Sequence, residues 1–142
     1  MPASIPSATT LRLEIVTPAG RVYAEDVEMV TLPGVAGQMG IYPHHVPLIT
    51  QMVPGEMIVR KDGHDLLIAT GEGLIEVTTS RVAVLTDLAI PADRIDEAKA
   101  EEARQRAEAR LQEKLSDEDL ASVNASLSRS LAQLRVKRRR QV

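Results

Sequence analysis

The stretch Met57-Ile-Val-Arg-Lys-Asp-Gly-His-Asp-Leu-Leu-Ile68 predicts a β-hairpin near the middle of the chain. Two apolar runs flank Asp62-Gly63, a dipeptide that favours tight hairpin turns because both central positions accept a positive φ. Similar short runs, separated by glycine and proline at intervals of about 8–12 residues, fill the chain up to residue 90. This spacing indicates an antiparallel β-sandwich or barrel rather than βαβ units.

Period-two alternation supports this assignment outside the central hairpin. Leu11, Leu13 and Ile15 alternate with polar residues, as in a strand with one buried face. The alternation is predicted to continue through Val27, Met29 and Thr31, up to Pro33-Gly34. Further strands are predicted at Leu74–Val77 and Val82–Leu85.

From Pro91 onward the apolar spacing becomes helical. Asp93 is predicted to cap a first helix, with Asp96 three residues later as in a capping box. Ser116-Asp-Glu-Asp119 is predicted to end that helix and cap a second one. The apolar stripes of the two helices are Ile95, Ala100, Ala103, Ala107 and Leu111, and then Leu120, Val123, Leu127, Leu131 and Leu134.

The sequence therefore predicts three parts: a flexible leader over residues 1–10, a β-sandwich or barrel over 11–90 and an antiparallel helical hairpin over 91–142. The hairpin seam pairs alanines with leucines. Because alanine buries little apolar area, at about 25 cal/mol per Å², we expect the hairpin to be held weakly and to open.

Composition narrows the classes of function. The chain has 142 residues, a net charge of −3 and no cysteine, which excludes disulfides, thiolate metal sites and a cysteine nucleophile. Its aromatic residues are Tyr23 and Tyr42, so the core must be aliphatic and base-stacking platforms are missing. His44, His45 and His64 lack metal-ligand spacing, and we assign them surface or interface roles.

Catalytic motifs are equally scarce. Gly-x-Ser-x-Gly is absent, and the spacing of Gly34, Gly37 and Gly40 matches neither a Walker loop nor a dinucleotide fingerprint. We therefore predict no catalytic residue and no metal site, and a protein that is not an enzyme.

Charge is distributed unevenly along the chain. Residues 1–92 carry five basic and ten acidic groups, whereas the last fourteen residues carry six basic groups and no acid. This basic end is typical either of a solvated helix terminus or of a segment that binds an acidic partner, and we rank these two interpretations equally. Binding of nucleic acid ranks after both. Its cations are Arg129, Arg135, Lys137, Arg138, Arg139 and Arg140.

The segment Gly37-Gln-Met-Gly-Ile-Tyr-Pro-His-His-Val-Pro-Leu48 resembles the G-x-x-G-[IV]-x-P-x-H-x-P-L loop of epsilon subunits of F-type ATP synthases. The further matches are Leu11–Thr17, Pro54-Gly55, Gly73–Val77 and Ile95–Ala98. The resemblance implies a ten-strand antiparallel β-sandwich followed by a two-helix hairpin. It also implies a non-catalytic rotor subunit that couples gamma to the c-ring for proton-driven ATP synthesis.

The resemblance implies specific contacts. Ring contact would fall at Gly37, Gln38, Met39 and Gly40, although many members carry an acidic residue where Gln38 stands. Contact with gamma is expected at His45, Leu48 and Thr50. The hairpin would inhibit ATP hydrolysis at the alpha and beta subunits, with beta meeting Arg129, Arg135, Lys137, Arg138, Arg139 and Arg140.

Membrane insertion is not expected. The resemblance places the protein peripherally on the cytoplasmic face of a bacterial inner membrane, ahead of a thylakoid membrane.

Some members of this family bind ATP between the folded helices through an I/L-D-x-x-R-A motif. Ile95, Asp96 and Ala100 match it, but Lys99 replaces the motif arginine and cannot reproduce its planar fork. Arg106 and Arg129 stand at further basic positions, whereas Gln133 replaces another arginine. We predict weak or absent ATP binding and no cofactor. The alternatives are a nucleotide-sensing module without a stalk role and a nucleic-acid-binding β domain.

Overall fold

Ten strands form the N-terminal part of the protein. The computed structural model describes residues 9–140, without the side chain of Arg140, so most of the predicted leader lies outside the described residues. The strands are β1 (Leu11–Thr17), β2 (Gly20–Val27), β3 (Met29–Gly34), β4 (Gly37–Ile41), β5 (Leu48–Met52), β6 (Gly55–Lys61), β7 (His64–Thr70), β8 (Gly73–Val77), β9 (Arg81–Thr86) and β10 (Ala89–Pro91).

The strands are arranged as a sheet folded onto itself. Their order is β10-β7-β6-β3-β5-β8-β9-β1-β2, with β4 also paired to β3. The two halves join through one pairing, Gly34 with Met52, and Glu28, which lies between β2 and β3, donates its N–H to the Arg60 carbonyl of β6 at 2.8 Å. The predicted ten-strand β-sandwich is confirmed. One of its described strand pairs, β1 with β9, is parallel. The two strands are far apart in the chain, so no hairpin turn forces them to be antiparallel.

An aliphatic core lies between the two layers. Leu11, Leu13 and Ile15 are fully buried there, as their alternation predicts. The remaining core side chains come from eight other strands, and Tyr23 packs at the core margin as a partly buried aromatic. These core residues are Val27, Val30, Leu32, Ile41, Met52, Met57, Val59, Ile68, Ile75, Val77, Val82 and Val84.

The alternation predicted for β3 is wrong by one residue. Val30 and Leu32 are buried, whereas Met29 and Thr31 are only partly so. The strand breaks at Glu28, between β2 and β3, and this break shifts which residues face the core. A one-residue shift exchanges the two faces of a strand because its side chains alternate with period two.

The central hairpin forms as the sequence predicts. Asp62 and Gly63 adopt φ values of 52° and 75°, and Lys61 pairs with His64 across the turn. The turn thus takes the left-handed conformation for which Asp-Gly is suited.

Two helices follow the sandwich: α1 (Glu97–Leu111) and α2 (Asp117–Arg140). The prediction that Asp93 caps the first helix is wrong, since Ala92–Arg94 form a 3₁₀ turn and Ile95 is extended and buried. Asp96 is the N-cap instead, its Oδ1 accepting the Lys99 N–H at 3.2 Å. The predicted cap of α2 is confirmed, because Ser116 Oγ accepts the Asp119 N–H at 3.2 Å.

The longer helix has two buried stripes rather than one. Val123, Ser130 and Leu134 recur at intervals that place them on one face, as predicted for Val123 and Leu134. A second stripe, Ala132 and Val136, is buried at a different angle around the helix. Leu120 and Leu131 are about 40% exposed, so their predicted place in the buried stripe is wrong.

Between residues 9 and 140, no helix is both long and apolar enough to cross a membrane.

Candidate interaction surfaces

The outer face of β6 and β7 lies beneath α2. Cross-strand register pairs Glu56 with Ala69 on this face, whereas Met57 and Ile68 point into the core. Val136 of α2 is completely buried in a small cluster with Ala69, Ala92 and Ile95, against which Leu67 and Ile90 also pack. The helical hairpin is therefore docked on one side of the sandwich.

Charged contacts border this apolar cluster at both ends. Arg139 Nη1 donates to Glu56 Oε1. Arg129 Nη1 lies 3.5 Å from Asp87 Oδ2, and Lys137 Nζ donates to the Ala92 carbonyl at 3.3 Å. Three cations predicted to meet the beta subunit thus make contacts within the chain.

The remaining predicted beta contacts have other surroundings. Arg138 donates to Glu97 Oε1 at 3.2 Å and to Glu101 Oε2 at 3.3 Å, which ties the end of α2 to the start of α1. Arg135 is exposed. The side chain of Arg140 lies outside the described residues.

Glu101 is the centre of the charge network in the helical hairpin. Arg104 donates to Glu101 and, at 2.7 Å, to Glu108 Oε1. Hydrogen bonds from Arg104, together with the charge of Arg138, lower the pKa of the Glu101 carboxyl to about 2. Through Arg138 the network joins the charged surfaces of both helices. These contacts add to the alanine seam, which itself buries little apolar area.

The opposite layer exposes an apolar surface that we call the open face, formed by Ile49, Leu74 and Leu85. These side chains come from β5, β8 and β9, and Ile49 is 67% exposed. Leu74 pairs directly with Leu85, and Ile49 lies diagonally across from Leu74. Such cross-strand neighbours are close enough to form one surface. All three side chains of the open face remain exposed, whereas Ala69 on the other layer is completely buried beside Val136 of the hairpin.

The residues predicted to contact gamma lie beside this surface rather than in it. Leu48 and Thr50 alternate with the buried Met52, so they share the inward-facing side of β5. His45 Nδ1 lies 2.7 Å from the Val46 carbonyl, to which it donates. Ile49 was missed, although the same alternation along β5 could have found it. The assignment of His45, Leu48 and Thr50 to gamma stays a prediction.

The residues predicted to contact the ring are the first four residues of β4, directly after the tight turn from β3. Gly37, Gln38 and Gly40 are exposed, whereas Met39 is partly buried against the core. Gly37 has a φ of 130°, a conformation that favours glycine. A cleft of about 460 Å³ separates this turn from the end of α2, and its lining includes Gln38 and Arg135.

The predicted ATP-binding residues are dispersed. Asp96 caps α1, Ile95 is buried against the sandwich and Arg129 faces Asp87. Arg106 lines a cleft of about 460 Å³ between the helices, at a level beyond Lys99 and the buried Ala100. The lining of that cleft is Ala103, Arg106, Ala107, Ala109, Arg110, Glu113, Ser122, Val123 and Ser126. Six residues expected to form one site therefore do not converge on a single cleft.

Metal binding has no support in the described part of the chain, where no group of three or more histidine and carboxylate residues converges. His44 adopts a φ of 66° and donates its N–H to the Thr79 carbonyl at 2.9 Å. This bond ties the loop between β4 and β5 to the turn between β8 and β9.

These surfaces define an interaction protein: a β-sandwich with one outer face covered by its own helices and the other open and apolar. Residues 10–92 match the family model described as the beta-sandwich domain of the ATP synthase Delta/Epsilon chain. Residues 93–138 match the long alpha-helix domain of the same chain.

The relatives are consistent with these matches. The ATP synthase epsilon chain of Herpetosiphon aurantiacus is 43% identical over 89% of this chain and 93% of its own. That of Laribacter hongkongensis is 36% identical over 89% of this chain and 92% of its own. This chain belongs to the ATP synthase epsilon chain family, whose members are stalk subunits and not the catalytic ones.

Solved structures share the fold. A chain in the Euglena gracilis mitochondrial ATP synthase, in a structure of OSCP, F1 and c-ring, superposes with a TM-score of 0.74. It is 22% identical, over 90% of this chain and 80% of its own. A central-stalk and c-ring structure from Tetrahymena thermophila gives a TM-score of 0.56 at 13% identity.

Replacing Glu101 by Gln should weaken the pH dependence of hairpin stability. The pKa of Glu101 is lowered in the folded state, so its stabilising contribution is present above the ordinary value of 4.5. It is lost as the pH falls from there toward about 2. Far-UV circular dichroism during heating, repeated across this pH range, measures the effect.

Glu102→Gln is the matched control, because Glu102 is exposed and its oxygen lies 4.0 Å from Arg106. The role of Glu101 is refuted by a Glu101→Gln variant whose unfolding temperature falls with acid as steeply as that of the unmodified chain.

Proposed function

We propose that this protein joins the gamma subunit to the c-ring in the central stalk of an F-type ATP synthase, and that its helical hairpin restrains ATP hydrolysis. The open face is the observation that carries the proposal. It lies on the layer opposite the docked hairpin, so a partner can bind it while the helices stay in place.

Gamma is the partner proposed for the open face. Ile49, Leu74 and Leu85 are large apolar side chains grouped at the surface, with the exposed polar residues Gln51 and Glu76 beside them. An apolar centre with a polar rim is the usual anatomy of a protein interface. His45 lies in the loop before β5, and Leu48 and Thr50 point to the opposite side of β5 from Ile49, so the open face is proposed as a gamma contact independently of these three residues.

The start of β4, from Gly37 to Gly40, is proposed to contact the c-ring. Gly37 and Gly40 have no side chains, which permits close approach of another backbone. Gln38 supplies an uncharged hydrogen-bonding group. Contact with the ring would hold the protein peripherally on the cytoplasmic face of a bacterial inner membrane, although none of its described helices could span one.

The hairpin is proposed to inhibit hydrolysis by leaving the sandwich and meeting acidic surfaces of the beta subunit and its alpha neighbour. Its docked contacts support this because charged and polar pairs border a small apolar cluster. Val136 is the large apolar side chain of α2 within the docking cluster. Such a small apolar contact favours a reversible attachment.

Placing a carboxylate in the open face should prevent binding to gamma. We expect Ile49→Asp and Leu74→Asp each to weaken binding by at least about tenfold, because an interface would bury the new charge unpaired. Co-purification and calorimetry with isolated gamma measure the effect. Leu120→Asp, on the exposed side of α2, is the control with the same change in chemistry.

Equal gamma affinity of the Ile49→Asp variant and the unmodified chain would exclude the open face as the interface. Circular dichroism of each variant establishes that the sandwich is folded.

Removing residues 92–142 should leave the sandwich folded and raise ATP hydrolysis by the assembled enzyme severalfold. The sandwich core draws only on residues 11–84, so the deletion leaves it complete. Neutralising Lys137 to Arg140 in the full chain should raise hydrolysis to a smaller extent. The measurement is steady-state hydrolysis by the reconstituted complex, and an unchanged rate would show that the hairpin does not inhibit.

We further propose that ATP binding is weak or absent. Lys99 and Gln133 lack the arginine fork, and Arg129 is engaged by Asp87. Calorimetric titration of the isolated chain should show no saturation at micromolar ATP, whereas Lys99→Arg with Gln133→Arg should tighten binding. Micromolar affinity without binding to gamma would instead favour the nucleotide-sensing alternative.

A further inference from the structure

We propose that Glu56, assisted by Asp87, is an internal acidic latch that holds the arginines of α2 and competes for them with an acidic partner surface. The identity of that partner rests on the proposed function, whereas the latch itself is a property of the isolated chain.

One face of α2 is built to fit this latch. Arg129, Ala132, Val136 and Arg139 are separated by three, four and three residues, which places them along one side of the helix. Small apolar residues form the middle of this row and arginines stand at its ends. Val136 packs on Ala69, the cross-strand neighbour of Glu56, so Arg139 is brought to Glu56 by the same docking contact.

The two acidic partners differ in burial. Glu56 is 7% exposed, and within the described chain its Oε2 has no hydrogen-bond partner while its Oε1 accepts from Arg139. Asp87 and Arg129 are both substantially exposed. Exposed pairs contribute little because water screens them, whereas a buried charge that loses its only partner is strongly destabilising. Glu56 therefore dominates the latch.

This asymmetry couples the two ends of the docking contact. Arg139 cannot turn toward another acidic group while α2 stays docked, because Glu56 would then be buried without a cation. Undocking of α2 removes the cover from Glu56 and admits water to it. Release of Arg139 and departure of the helix are thus one event.

The latch also reduces the number of unpaired cations with which docked α2 can bind an acidic partner. Arg129 and Arg139 are paired with Asp87 and Glu56 in the docked protein, so an acidic partner must compete with these two carboxylates for them. A partner that binds the undocked state has its apparent affinity reduced by the fraction of undocked protein. Weakening Glu56 should therefore strengthen the partner's hold on α2.

The first test measures docking in the isolated full-length chain. Because the chain lacks cysteine, spin labels can be placed at cysteines introduced at exposed Ser128 of α2 and exposed Thr79 of the sandwich. Pulsed dipolar spectroscopy then gives the ratio of undocked to docked protein. Glu76→Gln, on the opposite layer, is the matched control and should leave the ratio unchanged.

Glu56→Gln should raise this ratio by about tenfold, as expected when a charge-assisted hydrogen bond is lost. Arg139→Gln should raise it further, by about a hundredfold, because it leaves Glu56 buried and unpaired. Adding Glu56→Gln to the Arg139→Gln variant should reverse most of that rise. Absence of this reversal, or an unchanged ratio in both single variants, overturns the latch.

The second test uses ATP hydrolysis by the reconstituted synthase. Glu56→Gln should lower the rate, since it frees the hairpin while keeping every arginine, and Arg139→Gln should lower it less. A rate that is unchanged or raised by Glu56→Gln overturns the competition. If deletion of residues 92–142 also leaves the rate unchanged, the inhibitory function fails, and the docking measurement still decides the latch.

Discussion

The aliphatic core between the two sheet layers imposes the constraint on which the rest of the structure depends. Its side chains alternate along each strand, so the residues between them must point outward. The protein therefore has two outer faces, and each must meet water or a partner. On β6 and β7 the outward residues Ala69 and Leu67 are covered by α2, whereas Ile49, Leu74 and Leu85 on the opposite layer remain open.

The covered face explains the character of the helical hairpin. Alanines let the helices approach closely but bury little area, and the seam is supported by charges such as those of Arg138 and Glu101. Docking to the sandwich adds Val136 and the pair of buried Glu56 with partly exposed Arg139. The described core of the sandwich contains no residue of these helices, so the proposed separation of the hairpin would leave that core complete.

The features predicted correctly from sequence depend on local chemistry. Asp62-Gly63 adopts the left-handed turn, Ser116 caps α2, and Leu11, Leu13 and Ile15 are buried. The errors occur where distant parts of the chain determine the outcome. Asp96 replaces Asp93 as the cap because Ile95 is drawn into the sandwich. Val136, rather than Leu131, is buried because the docking face of α2 differs from its hairpin face.

The candidate surfaces follow the same division. Exposed glycines at the start of β4 could be recognised from a contiguous motif, and so could the basic end of the chain. Whether Asp96, Arg106 and Arg129 converge could not be judged from the sequence, because it depends on the position of each residue along and around two helices. In the structure Asp96 caps α1, Arg106 lines the cleft between the helices and Arg129 faces Asp87.

By itself the sequence determined the antiparallel β domain, the helical hairpin and the aliphatic, cysteine-free character of the chain, because turn chemistry, periodicity and composition act over a few residues. Only the tertiary structure decided that α2 docks on β6 and β7, that Ile49 lies in an open face and that Glu56 meets Arg139. These contacts join residues far apart in the chain, and their partners are chosen by the curvature of the sheet and the rotation of a helix.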